Sequence, residues 1–120
     1  MTGEKGTVNN KSMKLNEYQE KAVATAIYGE GSLIIYPTLG LAGESGEVAD
    51  KVKKVLRDNA GIFTDEKKKE IAGEIGDTCW YIAALCRDLG FTLEEVCQWN
   101  IDKLESRRAR NVISGSGDNR

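Results

Sequence analysis

A chain of 120 residues with 17 basic and 19 acidic side chains has room for one domain with a modest core. Its formal charge of -2 offers nucleic acid no basic excess to grip. It has no histidine, which removes imidazole bases, Ser-His and Cys-His catalysis, the usual His-containing zinc sites and the Glu-x-x-His motif of di-iron bundles.

No apolar run approaches a membrane span, and no secretory h-region is present. Cys79, Cys86 and Cys97 are odd in number and lack CxxC spacing. Cys79 and Cys86 stand seven apart on the apolar side of one expected helix, so they read as small buried hydrophobes. That usage suits a reducing compartment and predicts a cytoplasmic protein.

Residues 1–14 are polar, Gly-containing and unpatterned, and predict a disordered leader. A first helix is expected from about Asn16, where Asn16 and Gln19 resemble a capping box, to about Tyr28. Gly29, Gly31 and Ser32 break it. Leu33-Ile34-Ile35-Tyr36 is apolar but has no partner strand anywhere, so it reads as a buried loop. Pro37 and Thr38 start a second helix that runs to about Asp58 and ends at Asn59-Ala60-Gly61. Thr64 or Asp65 caps a third, which stops at Leu89-Gly90. Thr92 with Glu95 is a capping box for a fourth, ending near Arg108, and residues 111–120 predict a flexible tail. The expected architecture is all-α, a four-helix core.

Two acid pairs dominate the interior of that pattern: Glu44 with Glu47, and Glu74 with Asp77. Each is spaced i, i+3, so both side chains leave one helix face about a turn apart. At about 100° per residue, Leu41, Val48, Val52 and Val55 form the apolar stripe of the second helix, with Glu44 on its margin. Ile71, Ile75, Ile82, Leu85 and Leu89 form that of the third, with Glu74 inside it and Asp77 at its edge. A surface helix places acids opposite its apolar face; these point inward.

Withdrawing an ionised carboxylate from water costs several kcal/mol unless it is paired, protonated or metal-bound. Pairing with Lys51, Lys54 or Lys67 at a helix rim is one resolution. The other is a hard divalent ion, Mg²⁺ or Mn²⁺, since only oxygen donors are on offer. Gly40, Gly43, Gly46, Gly73 and Gly76 lie in the same helices, each costing about 1 kcal/mol relative to Ala, which implies close approach by a helix or a ligand.

The fourth helix carries Leu93, Val96, Cys97 and Leu104 on one stripe, with Asn100 in its middle, Arg107 on nearly the same line and Lys103 on one edge. With Lys51 and Lys54 these are donors gathered near an acidic metal site, the chemistry that holds a polyphosphate. Trp80 points away from the stripe of its helix, as at a subunit interface.

These residues resemble the MazG-like nucleotide pyrophosphohydrolases. The family's E-x-x-E, spacer, E-x-x-D motif is Glu44-Ser45-Gly46-Glu47, then Val48 to Gly73, then Glu74-Ile75-Gly76-Asp77. Leu39-Gly40-Leu41-Ala42-Gly43 leads in, Lys53-Lys54 closes the second helix, and Asn100-x-x-Lys103-Leu104-x-x-Arg107 closes the domain. The likeness covers Leu15 to Arg110 and marks residues 15–110 as the domain.

The resemblance implies Mg²⁺-dependent hydrolysis of a (deoxy)nucleoside triphosphate to the monophosphate and pyrophosphate, by metal-activated water attacking the α-phosphorus. Glu44, Glu47, Glu74 and Asp77 would be the metal ligands, with Glu47 and Glu74 catalytic and Glu47 the candidate general base. Lys54, Asn100, Lys103 and Arg107 would hold phosphates, Lys51 less directly, and Tyr81 would pack on sugar or base. The resemblance also implies a homodimer or dimer-of-dimers tetramer with a site lined by more than one chain. The competing reading is a non-catalytic helical module that binds a nucleotide or a protein.

Overall fold

The computed structural model describes residues 12–120. It contains four α-helices, α1 (Leu15–Val23), α2 (Ile35–Asp58), α3 (Asp65–Leu89) and α4 (Leu93–Ala109), with one 3₁₀ turn at Glu30–Ser32. There is no strand among the described residues, so the all-α expectation holds. No described helix is long and apolar enough to cross a membrane.

α3 is the organising element. It packs along α2 on one side and α1 on the other, while α4 leans on α1 and the end of α3. Being covered twice, α3 buries small side chains: Ala83, Ala84 and Cys86 join Ala22 and Leu93 in the core, and Val55 is buried on α2. The margins of this core are Tyr18, Trp80, Ile82, Val96 and Cys97.

The local signals set most helix ends. Thr64 Oγ1 accepts from the Lys67 amide at 3.2 Å. Gly90 closes α3 at φ 89, in the left-handed conformation that glycine adopts without strain. Thr92 and Glu95 form the expected capping box, with Thr92 N donating to Glu95 Oε2 at 2.8 Å. α2 ends as expected at Asp58, followed by positive φ at Ala60 and Gly61.

Other expectations are corrected. α1 stops at Val23 rather than Tyr28, because Trp80 Nε1 donates to the Ala22 carbonyl at 3.0 Å and to Thr25 Oγ1 at 2.8 Å. Those bonds turn Trp80 toward α1, not outward to an interface. Asn16 and Gln19 do not cap α1; Lys14 does, its amide donating to Glu17 Oε1 at 3.4 Å.

Asn16 instead exchanges hydrogen bonds with Glu94: its amide donates to Glu94 Oε2 at 3.2 Å, and its Oδ1 accepts from the Glu94 amide at 2.9 Å. Gln19 is buried; its Nε2 donates to the Ala83 and Phe91 carbonyls, and its Oε1 accepts from the Leu93 amide. It knots α1, α3 and α4 together. Of the 1–14 leader, residues 1–11 lie outside the described residues.

The Leu33–Tyr36 stretch is not a buried loop: Leu33 and Ile34 precede α2, Ile35 and Tyr36 open it, and all four are exposed. Pro37 falls in the first turn of α2 and is fully buried. Cys79 is exposed, Cys97 half-buried, and only Cys86 fully buried. Asn100 is exposed in the single chain, since no helix covers that part of α4. Among the described residues, Gly40 alone of the helical glycines meets a neighbour. A Cβ there would strike the Tyr81 ring, whereas at Gly43, Gly46, Gly73 and Gly76 it would meet nothing within 4 Å.

Candidate metal centre and adjoining cleft

The α2–α3 contact places three of the four acids together. Glu44, Glu74 and Asp77 each offer a carboxylate oxygen, and these oxygens all lie within 4.8 Å of one another. Glu44 and Glu74 are half-buried, Asp77 exposed. Glu47 stands outside this trio, exposed one turn further along α2.

Crowding shows in the acid–base balance. Partial desolvation and then the charges of Asp77 and Glu74 push the Glu44 carboxyl above the usual carboxylate range. Among the described residues Lys51 is the cation paired with the trio, its Nζ 3.7 Å from Glu74 Oε2, and its single charge does not balance three acids. Lys54, by contrast, is engaged on its own helix: Lys53 and Lys54 both reach Asp50 at 2.8 Å and hold its carboxyl down at about 2. The trio is thus an all-oxygen donor set whose mutual repulsion a hard divalent cation would relieve, and it fits Mg²⁺ or Mn²⁺ by charge and donor type.

A cleft of about 430 Å³ opens beside the acids, lined by Tyr18, Glu44, Gly76, Asp77, Trp80 and Tyr81. Its aromatic wall is built by close packing. Tyr81 lies over Gly40, meets Trp80 edge-on with centroids 5.0 Å apart, and reaches Tyr36 at 6.1 Å. Hydrogen bonding to Tyr36, then desolvation, and the nearby acids raise the Tyr81 phenol above its ordinary value.

The candidate phosphate donors on α4 lie elsewhere in the single chain. Lys103 Nζ meets Asp118 Oδ1 at 2.8 Å, and Arg107 Nη2 meets the same oxygen at 3.0 Å and also donates to the Asp118 carbonyl. Arg107 is 5% exposed, yet its Nε is buried without a partner. Asn100, Lys103 and Arg107 do not line the cleft, whereas Tyr81 does. Tyr18 and Trp80 are cleft residues that the sequence did not single out as such: Trp80 read as an interface residue, and nothing in its pattern marked Tyr18.

Residues 37–112 match the MazG nucleotide pyrophosphohydrolase domain. The chain belongs to the MazG nucleotide pyrophosphohydrolase family. The matched span begins at Pro37 in the first turn of α2 and takes in α3, α4 and both acid pairs. The chain is also 47% identical over 114 residues to the Gene 37 protein of Mycobacterium phage L5, a similarity covering 90% of this chain and 100% of that protein. No solved structure matches it. MazG domains are typically metal-dependent, and the Glu44, Glu74 and Asp77 trio is a suitable carboxylate cluster. α1 lies before the matched span, yet it contributes Tyr18 to the cleft.

Proposed function

We propose that this chain hydrolyses (deoxy)nucleoside triphosphates to the monophosphate and pyrophosphate, with water attacking the α-phosphorus. The observation that carries the reading is the convergence of Glu44, Glu74 and Asp77 beside an aromatic-walled cleft in a MazG domain. A Mg²⁺ or Mn²⁺ ion bound by these carboxylates would supply Lewis acidity toward water and phosphate oxygens. Glu47, exposed and outside the trio, is available either as a further ligand or as the general base. Tyr18, Trp80 and Tyr81 present flat apolar faces suited to a nucleoside, with phosphates directed toward the acids.

Lys54, Asn100, Lys103 and Arg107 are the candidate phosphate donors. Lys54 would exchange Asp50 for a phosphate oxygen, and Lys103 and Arg107 would exchange Asp118. A homodimer or dimer-of-dimers tetramer would serve the α4 part of this set. Large apolar side chains such as Leu39 (68% exposed), Leu56 (64%) and Trp99 (50%) are uncovered, as a homodimer or dimer-of-dimers tetramer would require. Such an assembly would carry a second chain's α4 to the acids. Three free cysteines suit the reducing cytoplasm, where nucleotide pools lie.

The test is a panel of ribo- and deoxynucleoside triphosphates incubated with Mg²⁺ or with chelator, alongside Glu74→Gln. Metal-dependent release of monophosphate and pyrophosphate, abolished in a folded Glu74→Gln protein, is the expected result. Turnover unchanged by Glu74→Gln would remove the metal-site assignment. A folded, nucleotide-binding protein without turnover would favour the non-catalytic module.

A further inference from the structure

Where the chain enters α2, about three helical turns before Glu44, the backbone is strained. Ile34 adopts φ 69, ψ -51, and the Ile35 amide donates to the Leu33 carbonyl at 2.7 Å. This is a γ-turn of the rare positive-φ form, centred on a β-branched residue, the type least suited to it. Such a conformation persists only where its surroundings over-determine it, and strain of this kind gathers at functional sites.

Asp88 is what holds it. The carboxylate is fully buried, 0% exposed, in the last turn of α3, where the helix dipole disfavours an acid. Its Oδ2 accepts from the Ile34 amide and from the Tyr28 hydroxyl, both at 2.9 Å, and its Oδ1 accepts from Arg87 Nε at 2.9 Å. Burial works to raise its pKa, but the Ile34 amide, Tyr28 and Arg87 together keep it below the usual carboxylate range. Tyr28 in turn stacks on Tyr36 with centroids 4.8 Å apart, and Tyr36 meets Tyr81 in the cleft wall.

The register explains why this corner matters to the site. Tyr36, Gly40 and Glu44 lie on one row of α2 at i, i+4 and i+8. Asp77, Tyr81 and Asp88 lie on the facing row of α3. The helices run antiparallel, so Ile34 meets Asp88, Gly40 meets Tyr81, and Glu44 meets Asp77 and Glu74. A slip of even part of the ~5.4 Å helical pitch would part the carboxylates and lift Tyr81 from Gly40.

We propose that Asp88 is a positioning residue for the cleft: by clamping the Ile34 turn and the Tyr28 hydroxyl, it fixes the register of α2 on α3 and, through Tyr28 and Tyr36, the seat of Tyr81 against the nucleoside. The proposal rests on the nucleotide reading of the cleft. Tyr28→Phe removes one hydroxyl of the relay and leaves the stacking intact. It raises the KM for a triphosphate about five-fold, the scale of change that losing the hydroxyl's bonds to Asp88 and Arg87 brings, with kcat within about two-fold. Asp88→Ala raises KM further, and Asp88→Asn, which keeps an oxygen to accept from Ile34 and Tyr28, falls closer to wild type.

The ladder is also read without turnover. In a Trp99→Phe background the remaining indole, Trp80, touches Tyr81, and Tyr28→Phe shifts its emission. A merely structural Asp88 would lower the melting temperature of Asp88→Ala and leave the KM of Tyr28→Phe untouched; that KM at the wild-type value overturns the proposal. If wild-type protein turns over no triphosphate, the hydrolase reading fails by itself, and the emission experiment then decides: an unshifted Trp80 overturns the relay, a shifted one upholds it. Should Asp88→Ala fail to fold, Tyr28→Phe decides alone.

Discussion

The same substitution at two positions of α2, Gly40→Ala and Gly43→Ala, should act with opposite sign. Alanine in place of a helical glycine stabilises by about 1 kcal/mol when the new methyl has room. At Gly43 it has room, since nothing lies within 4 Å of a Cβ there. Gly43→Ala should therefore raise the melting temperature by ~4–8 °C, the shift that about 1 kcal/mol produces in a domain of this size. At Gly40 the methyl would land on Tyr81, 2.5 Å from its Cζ and nearer still to two other ring carbons. The ring must move, at an overpacking cost of about 1–3 kcal/mol. Its pairs with Tyr36 and Trp80, each worth about 0.5–1.5 kcal/mol, weaken as it does so. Set against the helix-propensity gain, the net is a loss of about 1–3 kcal/mol.

Chemical denaturation of both variants at one protein concentration measures this, because the stability of an oligomer depends on concentration. A Gly40→Ala protein as stable as wild type would refute the seating of Tyr81 on Gly40. A Gly43→Ala protein as destabilised as Gly40→Ala would refute the open glycine face and show that another copy covers it.

Other outcomes follow from the same geometry. Glu44 titrates above its unfolded value, so its contribution to stability is present below the ordinary carboxylate pKa and is lost as pH rises through the raised value. In chelator, Glu44→Gln should accordingly melt above wild type at neutral pH. That gap should close toward pH ~4 and reverse when Mg²⁺ is added; differential scanning at several pH values reads all three. Gln19→Leu should cost about 1–3 kcal/mol, since it orphans the buried Leu93 amide and strips the Ala83 and Phe91 carbonyls of a donor. Urea denaturation that finds Gln19→Leu neutral would remove Gln19 as the knot of α1, α3 and α4.

Features decided within a few residues were legible in the sequence. The Thr64 cap, the Thr92–Glu95 box and the Gly90 stop are local hydrogen-bond and dihedral chemistry, and each stands where the pattern placed it. The inward acids were legible for a different reason: a charge on an apolar margin is costly enough to stand out, and three of the four meet as a cluster. What was not legible depends on partners far along the chain. α1 ends where Trp80, 58 residues away, and the Thr25 hydroxyl both donate to the Ala22 carbonyl, and a lone threonine there marks no stop without its distant partner. Gln19 read as a cap because its distant partners, the backbones of Ala83, Phe91 and Leu93, leave no trace in local pattern. Beside Cys86, which the sequence did place inside, the core of α3 is built of Ala83 and Ala84, side chains too small to outweigh Ile and Leu on a helical wheel. Ile34 is the extreme case, since its residue type argues against the conformation that Asp88 imposes.

The most direct measurement is hydrolysis of a triphosphate in ¹⁸O-labelled water with Mg²⁺ present, with the products resolved by mass. Label in the monophosphate alone, with unlabelled pyrophosphate, is the result that attack at the α-phosphorus predicts. Label in the pyrophosphate, or release of diphosphate and labelled phosphate, would contradict it.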